Sequence, residues 1–198
     1  MLVIRYLKDL DMKKKTQEIR EYPTREEMYL HEIPRDGIGA ELGACKGLNA
    51  QHLFHSSRPK AMYLVDLWDQ KNFIKHQEPQ HWAGDNERLV RKFFEKDSNV
   101  HYFKGGTVQW LKSIDDDFLD WVYIDSGHTY DHTKTEIDLC ITKVKEGGLI
   151  MGHDFFSAPA LWGTGVQRAV IERINSRDLE MTAITSERLC SFCCMVKR

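Results

Sequence analysis

Residues 38–47, which read IGAELGACKG, decide the fold that this sequence predicts. A short apolar strand over 38–42 leads into a glycine-containing turn and then into a helical pattern over about 48–56. Glycine permits a tight turn and a close approach of the backbone to a ligand, and the N-terminus of a helix offers free N–H groups to an anion. Glu41 adds a charge that suits an ammonium or a hydroxyl group. The stretch predicts a βα unit that binds a ligand, although a plain βα turn has the same pattern.

The next two strand ends carry residues that suit a nucleoside. The strand Ala61–Asp66 ends 19 residues after Gly47 on an acidic side chain, which can accept both hydroxyls of a ribose. Leu67 follows it directly and belongs to the same predicted ligand site. After a third strand over 100–103, a glycine pair and a threonine would let the backbone lie against an adenine edge; these are Gly105, Gly106 and Thr107.

Polar residues also follow the fourth and fifth predicted strands, over 121–125 and 149–152. The sequence reads IDSGHTYD over 124–131 and GHDF over 152–155. Because ligands of an open α/β sheet bind outside the carboxyl ends of its strands, two acids and two histidines would converge on one crevice. Such a group can bind a divalent cation or supply acid–base chemistry. Its members are Asp125, His128, His153 and Asp154.

Short apolar runs alternate with helical periods along the whole chain, which predicts βαβ units and a mainly parallel sheet. A helix is predicted over 25–33, and strands over 181–185 and 192–196 are predicted to form a terminal hairpin. Three local signals mark helix ends: Thr107 as a cap, a capping box from Thr133 to Glu136, and Gly147-Gly148 as a stop. We therefore expect an α/β, doubly wound, mainly parallel sheet of seven strands with a terminal antiparallel hairpin. It forms one domain over 1–198, with a helical extension over 1–35 and a core over 36–198.

Composition narrows the function classes. The 198 residues include 28 Lys plus Arg and 30 Asp plus Glu, a net charge of −2 that gives no electrostatic reason to expect a nucleic-acid partner. The sequence contains neither a run of 18 apolar residues nor a signal-peptide pattern, so we expect no membrane partner. Five cysteines, an odd number, favour a reducing compartment, and we expect a cytoplasmic protein. The CxxC spacing of Cys190 and Cys193 lies in an apolar run, which favours buried strand cysteines over a metal site.

In order, the motifs ELGACKG, the strand-ending Asp66, IDSGHTYD and GGLIMGHD resemble those of class I S-adenosylmethionine-dependent methyltransferases. The resemblance covers about residues 36–175 and is strongest to the macrocin-type branch of small-molecule and sugar O-methyltransferases. It implies a Rossmann-like methyltransferase fold and S-adenosylmethionine as cofactor. In that arrangement Glu41, Gly43 and Gly47 bracket the methionine part, and Asp66 binds the ribose. Gly106 and Thr107 lie near the adenine, and Asp125 lies beside the methyl donor.

The same resemblance implies a possible divalent cation such as magnesium, because metal-dependent sugar enzymes of this branch hold one at the position of Asp125 and at an acidic pair after strand five. Here that pair reads His153-Asp154, so the implied ligands are Asp125, His153 and Asp154, with imidazole in place of one hard oxygen ligand. Related enzymes carry a carboxylate as the base where this chain has Gly127. His128 is therefore the first candidate base and His153 the second, with Asp125 as a further catalytic residue.

The acceptor predicted from the resemblance is a hydroxyl of a sugar or of a sugar-containing metabolite, and a homo-oligomer is possible. Segments 68–84 and 155–164 would cover the acceptor with rings suited to a cyclic substrate; these are Trp68, His76, His81, Trp82, Phe155, Phe156 and Trp162. Two alternatives stay open. A nucleotide-dependent oxidoreductase would want GxGxxG, where this chain reads GACKGLN. A binding protein with this fold and no catalysis would explain Gly127 and His153.

Overall fold

A computed structural model describes residues 18–68, 85–156 and 164–198. Eight strands form one sheet: β1 (Arg20–Tyr22), β2 (Ile38–Leu42), β3 (Ala61–Asp66), β4 (Val100–Lys104), β5 (Leu119–Ile124), β6 (Val144–Gly152), β7 (Leu179–Thr185) and β8 (Phe192–Val196). Six helices connect or cover them: α1 (Arg25–Glu32), α2 (Leu48–Ser57), α3 (Asn86–Phe93), α4 (Thr107–Ser113), α5 (Tyr130–Lys143) and α6 (Gly165–Asn175).

The strand order is β1-β7-β8-β6-β5-β2-β3-β4. All neighbours are parallel except β8, which pairs antiparallel with both β6 and β7, so the predicted terminal hairpin is confirmed. The sheet has eight strands rather than the seven predicted. The additional strand is β1, which lies in the segment assigned to a helical extension and pairs in parallel with β7 from Arg20 opposite Ala183. Its three residues are too short to show an alternating apolar pattern, which is why sequence periodicity missed it.

Apolar side chains fill both faces of the sheet, as expected for a doubly wound fold. Helices α4, α5 and α6 cover one face, where Trp110, Ile137 and Val170 pack against the strands. Helices α1, α2 and α3 cover the other face through residues such as Tyr29 and Leu53. The three C-terminal cysteines are buried, Cys190 just before β8 and the other two within it; these two are Cys193 and Cys194.

Three predicted helix ends are wrong, each for a local reason. Helix α5 begins at Tyr130, a turn before the predicted capping box, so Thr133 lies inside it and donates its hydroxyl to the Gly127 carbonyl at 3.0 Å. Gly147 and Gly148 lie within β6, where an irregular register between β5 and β6 accommodates them, instead of ending the helix. Thr107 is the first helical residue of α4 and follows Gly106, which occupies the cap position.

The strand order reverses between β2 and β5, and the segments that follow these two strands contact each other where they leave the sheet. The N–H of Asp125 donates to the carbonyl of Leu42 at 2.8 Å. Gly43 has a φ of +94°, and a Cβ at this position would lie 2.1 Å from the carbonyl oxygen of Asp125. Only glycine fits, because any side chain would collide with backbone. The crevice above these two residues is the expected ligand site of a doubly wound sheet.

Among the residues that the structure describes, no helix is long and apolar enough to cross a membrane. The predicted acceptor-covering residues His76, His81, Trp82 and Trp162 lie outside the described residues.

Candidate active site

Asp66 holds the glycine loop in place from the end of β3. One carboxylate oxygen accepts from the N–H of Cys45 at 2.8 Å, and the other accepts from the N–H of Trp68 at 2.7 Å. The indole N–H of Trp68 in turn donates to the carbonyl of Cys45 at 2.9 Å. Burial raises the pKa of Asp66, although these backbone hydrogen bonds lower it. Each carboxylate oxygen can accept a second hydrogen bond, so the side chain that shapes the loop can also receive ribose hydroxyls.

Glu41 lies buried at the end of β2 beneath the glycine loop. Its Oε1 accepts from the side-chain amide of Asn49 at 2.8 Å, and Asn49 accepts from the phenol of Tyr29 at 2.9 Å. Its Oε2 is buried and has no hydrogen-bond partner among the described residues. Burial raises the pKa of Glu41 to about 8, while the bond from Asn49 lowers it. A cationic or hydroxyl ligand group that reached Oε2 would satisfy this orphaned acceptor and favour the charged carboxylate.

The structure brings the four polar residues after β5 and β6 together, as predicted. His128 Nε2 lies 3.0 Å from Asp154 Oδ2 and 3.5 Å from Asp125 Oδ1. His153 Nδ1 lies 3.2 Å from the same Asp154 Oδ2. Two imidazoles thus share one oxygen of a buried carboxylate. Asp154 sits at a φ of +58°, a left-handed conformation that aspartate tolerates better than most residues.

Burial and neighbouring charges shift the pKa of Asp125 and of His153. Burial raises the pKa of Asp125, and the positive charge of His153 counteracts this effect. Burial lowers the pKa of His153, but the hydrogen bond with Asp154 and the charge of Asp125 outweigh it, so the pKa of this imidazole is raised overall. Such shifts are typical of sites that bind ions or move protons.

The cluster fits a magnesium ion poorly. One ligand atom each from Asp125, His128 and Asp154 lies within 4.8 Å of the others, so the histidine grouped with the two acids is His128 rather than the predicted His153. Magnesium prefers six oxygen ligands, and this set offers two carboxylates and an imidazole. The oxygen Oδ2 of Asp154 is moreover within hydrogen-bond distance of both imidazoles. The donor set is better suited to acid–base chemistry than to magnesium.

Glu136 is a site residue that sequence reasoning missed as such. It points from α5 into the sheet edge, is fully buried and accepts from the hydroxyl of Ser126 at 2.6 and 2.7 Å. It also accepts from the hydroxyl of Thr107, and His132 Nε2 lies 3.0 Å from it. Glu136 therefore ties the loop after β4 to the loop after β5. The hydroxyl of Thr107 is engaged here, so the loop at Gly106 offers backbone to a ligand. The His132–Glu136 spacing of i, i+4 was the available signal.

Arg25, the first residue of α1, is a second functional candidate that the sequence did not single out. Its side chain is 28% exposed, and the carboxylate of the adjacent Glu26 lies 3.7 Å away. Burial lowers the pKa of the guanidinium, but the phenols of Tyr123 and Tyr29 and the charge of Asp125 raise it overall. Tyr29, one turn further along α1, donates to Asn49 and is linked through it to Glu41, so α1 carries this cation on the helix face that meets the acidic crevice.

Of three further residues predicted to contact a ligand, two are buried in the core and one is exposed. Trp68 and Phe155 were predicted to face an acceptor, but both are buried in the core, and Phe155 packs on Phe192 with ring centroids 5.9 Å apart. Leu67, predicted as a cofactor contact, is 50% exposed beside Asp66. An exposed leucine at this edge can lie against the face of a nucleoside.

Comparison with known families identifies the chain. Residues 40–155 match the family model described as "Methyltransferase domain". The chain belongs to this methyltransferase family. The match runs from β2 past β6 and therefore includes the glycine loop, Asp66 and the Asp125–Asp154 cluster. A search of curated proteins finds no match to the sequence.

Solved structures of methyltransferases share the fold. The N-methyltransferase NodS from Bradyrhizobium japonicum has a TM-score of 0.60 at 13% identity, over 88% of this chain and 95% of that one. An rRNA methylase from Streptococcus thermophilus has a TM-score of 0.60 at 10% identity, over 88% and 95%. Fibrillarin from Aeropyrum pernix, in complex with natively bound S-adenosyl-L-methionine, has a TM-score of 0.56 at 12% identity, over 82% and 67%. The methyltransferase domain thus has the class I, S-adenosylmethionine-dependent fold. The macrocin-type branch is not singled out.

Proposed function

We propose that this methyltransferase transfers the methyl group of S-adenosylmethionine to a hydroxyl of a small molecule, a sugar or a sugar-containing metabolite. The observation that carries the proposal is the pair of imidazoles on Asp154, beside Asp125 at the switch point of the sheet. A hydroxyl is a weak nucleophile and must lose its proton as it attacks, so a positioned base supports a hydroxyl acceptor.

The donor would lie across the carboxyl ends of β2, β3 and β5. Asp66 accepts the ribose hydroxyls through the free lone pairs of its carboxylate, and Gly106 and Thr107 form the wall beside the adenine. The methionine part lies between Glu41 and the loop from Gly43 to Gly47. Gly43 supports this placement, because its missing side chain lets the glycine loop lie directly against the backbone carbonyl of Asp125 at the point where the strand order reverses.

Transfer needs an in-line approach of the acceptor oxygen to the methyl carbon. The oxygen forms a new bond to this carbon as the carbon–sulfur bond breaks, and the electron pair of that bond stays on sulfur, leaving S-adenosylhomocysteine. His128 takes the hydroxyl proton, with His153 as second candidate. Asp154 orients both rings and stabilises the imidazolium that forms, as a carboxylate does in other histidine-based sites. No step is assigned to a metal, because the donor set fits magnesium poorly.

A small acceptor is favoured over RNA by charge. The crevice is lined by carboxylates from three strands, namely those of Glu41, Asp66 and Asp125, and the chain carries a net charge of −2. Binding along an RNA backbone needs positive charges spread over many phosphates, and these three carboxylates would repel phosphate groups. The rRNA methylase among the structural relatives shows that this fold also serves RNA substrates, so RNA is the competing acceptor class in the test below.

The first experiment is calorimetric titration of the purified protein with S-adenosylhomocysteine, with and without magnesium. We expect binding that magnesium does not change. Binding that requires magnesium would assign the Asp125–His128–Asp154 group to a metal, and failure of the folded protein to bind in either condition would refute the donor assignment.

The second experiment measures turnover with a panel of sugars, phenols, amines and RNA as acceptors. His128→Ala should lower kcat by about 100-fold or more while donor affinity changes little, since a general base contributes about 10²–10⁴ to the rate. The matched control is His101→Ala, because His101 is exposed on β4 and stacks on Tyr63 away from the crevice. Full activity of the His128 variant would move the base to His153. Donor binding without turnover on any acceptor would favour a non-catalytic binding protein.

A further inference from the structure

Two hydrogen bonds hold the backbone at the first turn of α1, where Arg25 lies. The backbone N–H of Arg25 donates to the carboxylate of Glu187, in the turn between β7 and β8, at 3.1 Å. The hydroxyl of Thr24 caps the same helix by accepting from the N–H of Glu27 at 3.3 Å. Buried Met28 and Tyr29 hold α1 on the sheet. The side chain therefore starts from a rigid point at the rim of the crevice.

The face of α1 that carries Arg25 meets the crevice. Tyr29, one helical turn after Arg25 on the same face, packs edge-on against Tyr123 of β5 with ring centroids 5.4 Å apart, and its hydroxyl donates to Asn49, which donates to buried Glu41. In agreement with this placement, burial raises the pKa of Glu41 and of Asp125, and the positive charge of Arg25 lowers both. Within the described part of the chain, the ion-pair contact of Arg25 is with the adjacent Glu26 at 3.7 Å, beyond hydrogen-bond distance. A guanidinium has five N–H donors, so an arginine whose ion pair is this long still has donors to offer to an anionic ligand.

The charges around the guanidinium match those of an α-amino acid. Glu41 offers a buried oxygen that no described residue hydrogen-bonds, and Asp125 offers a second carboxylate, both suited to an ammonium group. An α-carboxylate lies one carbon from its ammonium, so a ligand held by these acids needs a cation close by. The planar guanidinium can bind a carboxylate through two parallel hydrogen bonds.

We infer that Arg25 binds the α-carboxylate of the methionine part of S-adenosylmethionine and thereby fixes the sulfonium over Asp125. This role rests on the proposed function, because it takes the donor as the ligand of the crevice. Arg25 is then a donor-positioning residue supplied by the helix that precedes the glycine loop, outside the segment that matches the family model.

The test removes the arginine and the carboxylate separately. Calorimetry measures the affinity of wild-type protein, Arg25→Gln and Arg25→Lys for two ligands: S-adenosylhomocysteine, and decarboxylated S-adenosylmethionine, which keeps the ammonium but lacks the carboxylate. We expect Arg25→Gln to weaken S-adenosylhomocysteine binding by about 10- to 100-fold, with Arg25→Lys between it and the wild type. The decarboxylated ligand should bind all three proteins within about twofold.

Arg20→Ala is the matched control, because Arg20 is an exposed arginine of β1 that pairs with Glu32 at 2.6 Å, and it should leave both affinities unchanged. Equal weakening of both ligands by Arg25→Gln would show a structural role and overturn the inference, as would unchanged binding of S-adenosylhomocysteine. Absence of S-adenosylhomocysteine binding by the wild-type protein would instead refute the proposed function itself. Arg25→Lys, which keeps the charge, preserves the comparison if the glutamine variant does not fold.

Discussion

Replacement of Glu136 tests whether the buried carboxylate between the two ligand-side loops stabilises the fold. Three donors meet this side chain: the hydroxyls of Thr107 and Ser126 and the imidazole of His132. In Glu136→Ala all three lose their acceptor inside the protein. A buried hydroxyl left without its acceptor costs about 1–3 kcal/mol, and two hydroxyls are affected, whereas the side chain of His132 is 41% exposed and adds little because water can replace its partner. We therefore expect Glu136→Ala to lower the free energy of unfolding by about 3–5 kcal/mol.

Glu136→Gln should cost less, for a reason visible in the geometry. The oxygen Oε1 meets all three donors, whereas Oε2 meets the hydroxyl of Ser126 alone, at 2.7 Å. A glutamine that keeps its oxygen at the first position can donate its amide N–H to Ser126 at the second, so no group is left unsatisfied. The glutamine variant loses the negative charge that strengthens these three hydrogen bonds, which costs about 1 kcal/mol for each. Part of this cost is offset, because the variant no longer has to bury a charge. We expect a loss of about 1–3 kcal/mol.

The assay is urea unfolding followed by intrinsic fluorescence, with Glu95→Gln as control because Glu95 is exposed on the surface. Equal losses for alanine and glutamine would refute the compensation by Ser126, and a loss below about 0.5 kcal/mol for Glu136→Ala would refute the network as a source of stability.

The hydrogen bond with Glu136 raises the pKa of His132 in the folded protein, while burial lowers it. Its contribution is therefore fully present below the unfolded pKa of about 6.5 and is lost as pH rises through the folded pKa. The difference between wild type and Glu136→Gln should accordingly shrink above neutral pH.

Two further predictions concern the carboxylates that face the ligand. Asp66→Asn should lower donor affinity by about tenfold and the free energy of unfolding by about 1–3 kcal/mol, because one oxygen that accepts a backbone N–H becomes a donor. Calorimetry measures the affinity and urea unfolding measures the stability. Wild-type values of both quantities in the variant would remove Asp66 from the site. Asp154→Asn should lower the pKa of His153 towards its ordinary value, because the hydrogen bond with Asp154 raises this pKa against the effect of burial. Asparagine tolerates the left-handed backbone at this position, so the variant keeps the local fold. A proton NMR titration of the imidazole measures the shift, and an unchanged or raised pKa would contradict the assigned cause.

The sequence predicted the sheet because its signals are local. Strands such as β2 and β3 are short apolar runs bounded by glycine or acid, and their predicted ends match the structure to the residue. The candidate site residues at the strand ends could be located for the same reason. Parallel strands bring their carboxyl ends to one edge, so the chain positions of Asp66, Asp125 and Asp154 already imply that they share it.

Contacts between distant segments could not be predicted in this way. Arg25 and Glu136 lie on helices, and nothing local shows which strand end a helical side chain will reach. Glu136 instead matched a capping-box pattern with Thr133, a local pattern that the chain does not use because α5 begins a turn earlier. The prediction that Trp68 faces the acceptor was wrong for a related reason. An aromatic residue after a strand suits the wall of a substrate site, but the indole N–H of Trp68 donates to the carbonyl of Cys45 and the ring packs into the core.

These long-range contacts explain how so small a site can be rigid. The glycine loop is held by Asp66, the loops after β4 and β5 by Glu136, and α1 by the Glu187 carboxylate, so each ligand-side segment is anchored by a carboxylate from a different element. Asp66 both anchors a loop and is the proposed ribose acceptor. Loss of such a residue therefore affects the fold and donor binding together. Arg25 differs, because the hydrogen bond that anchors it to Glu187 is made by its backbone N–H, and a change of its side chain leaves this bond in place. A substitution there can separate ligand binding from stability, which is why the paired-ligand test at Arg25 is the most direct test of how the donor is held.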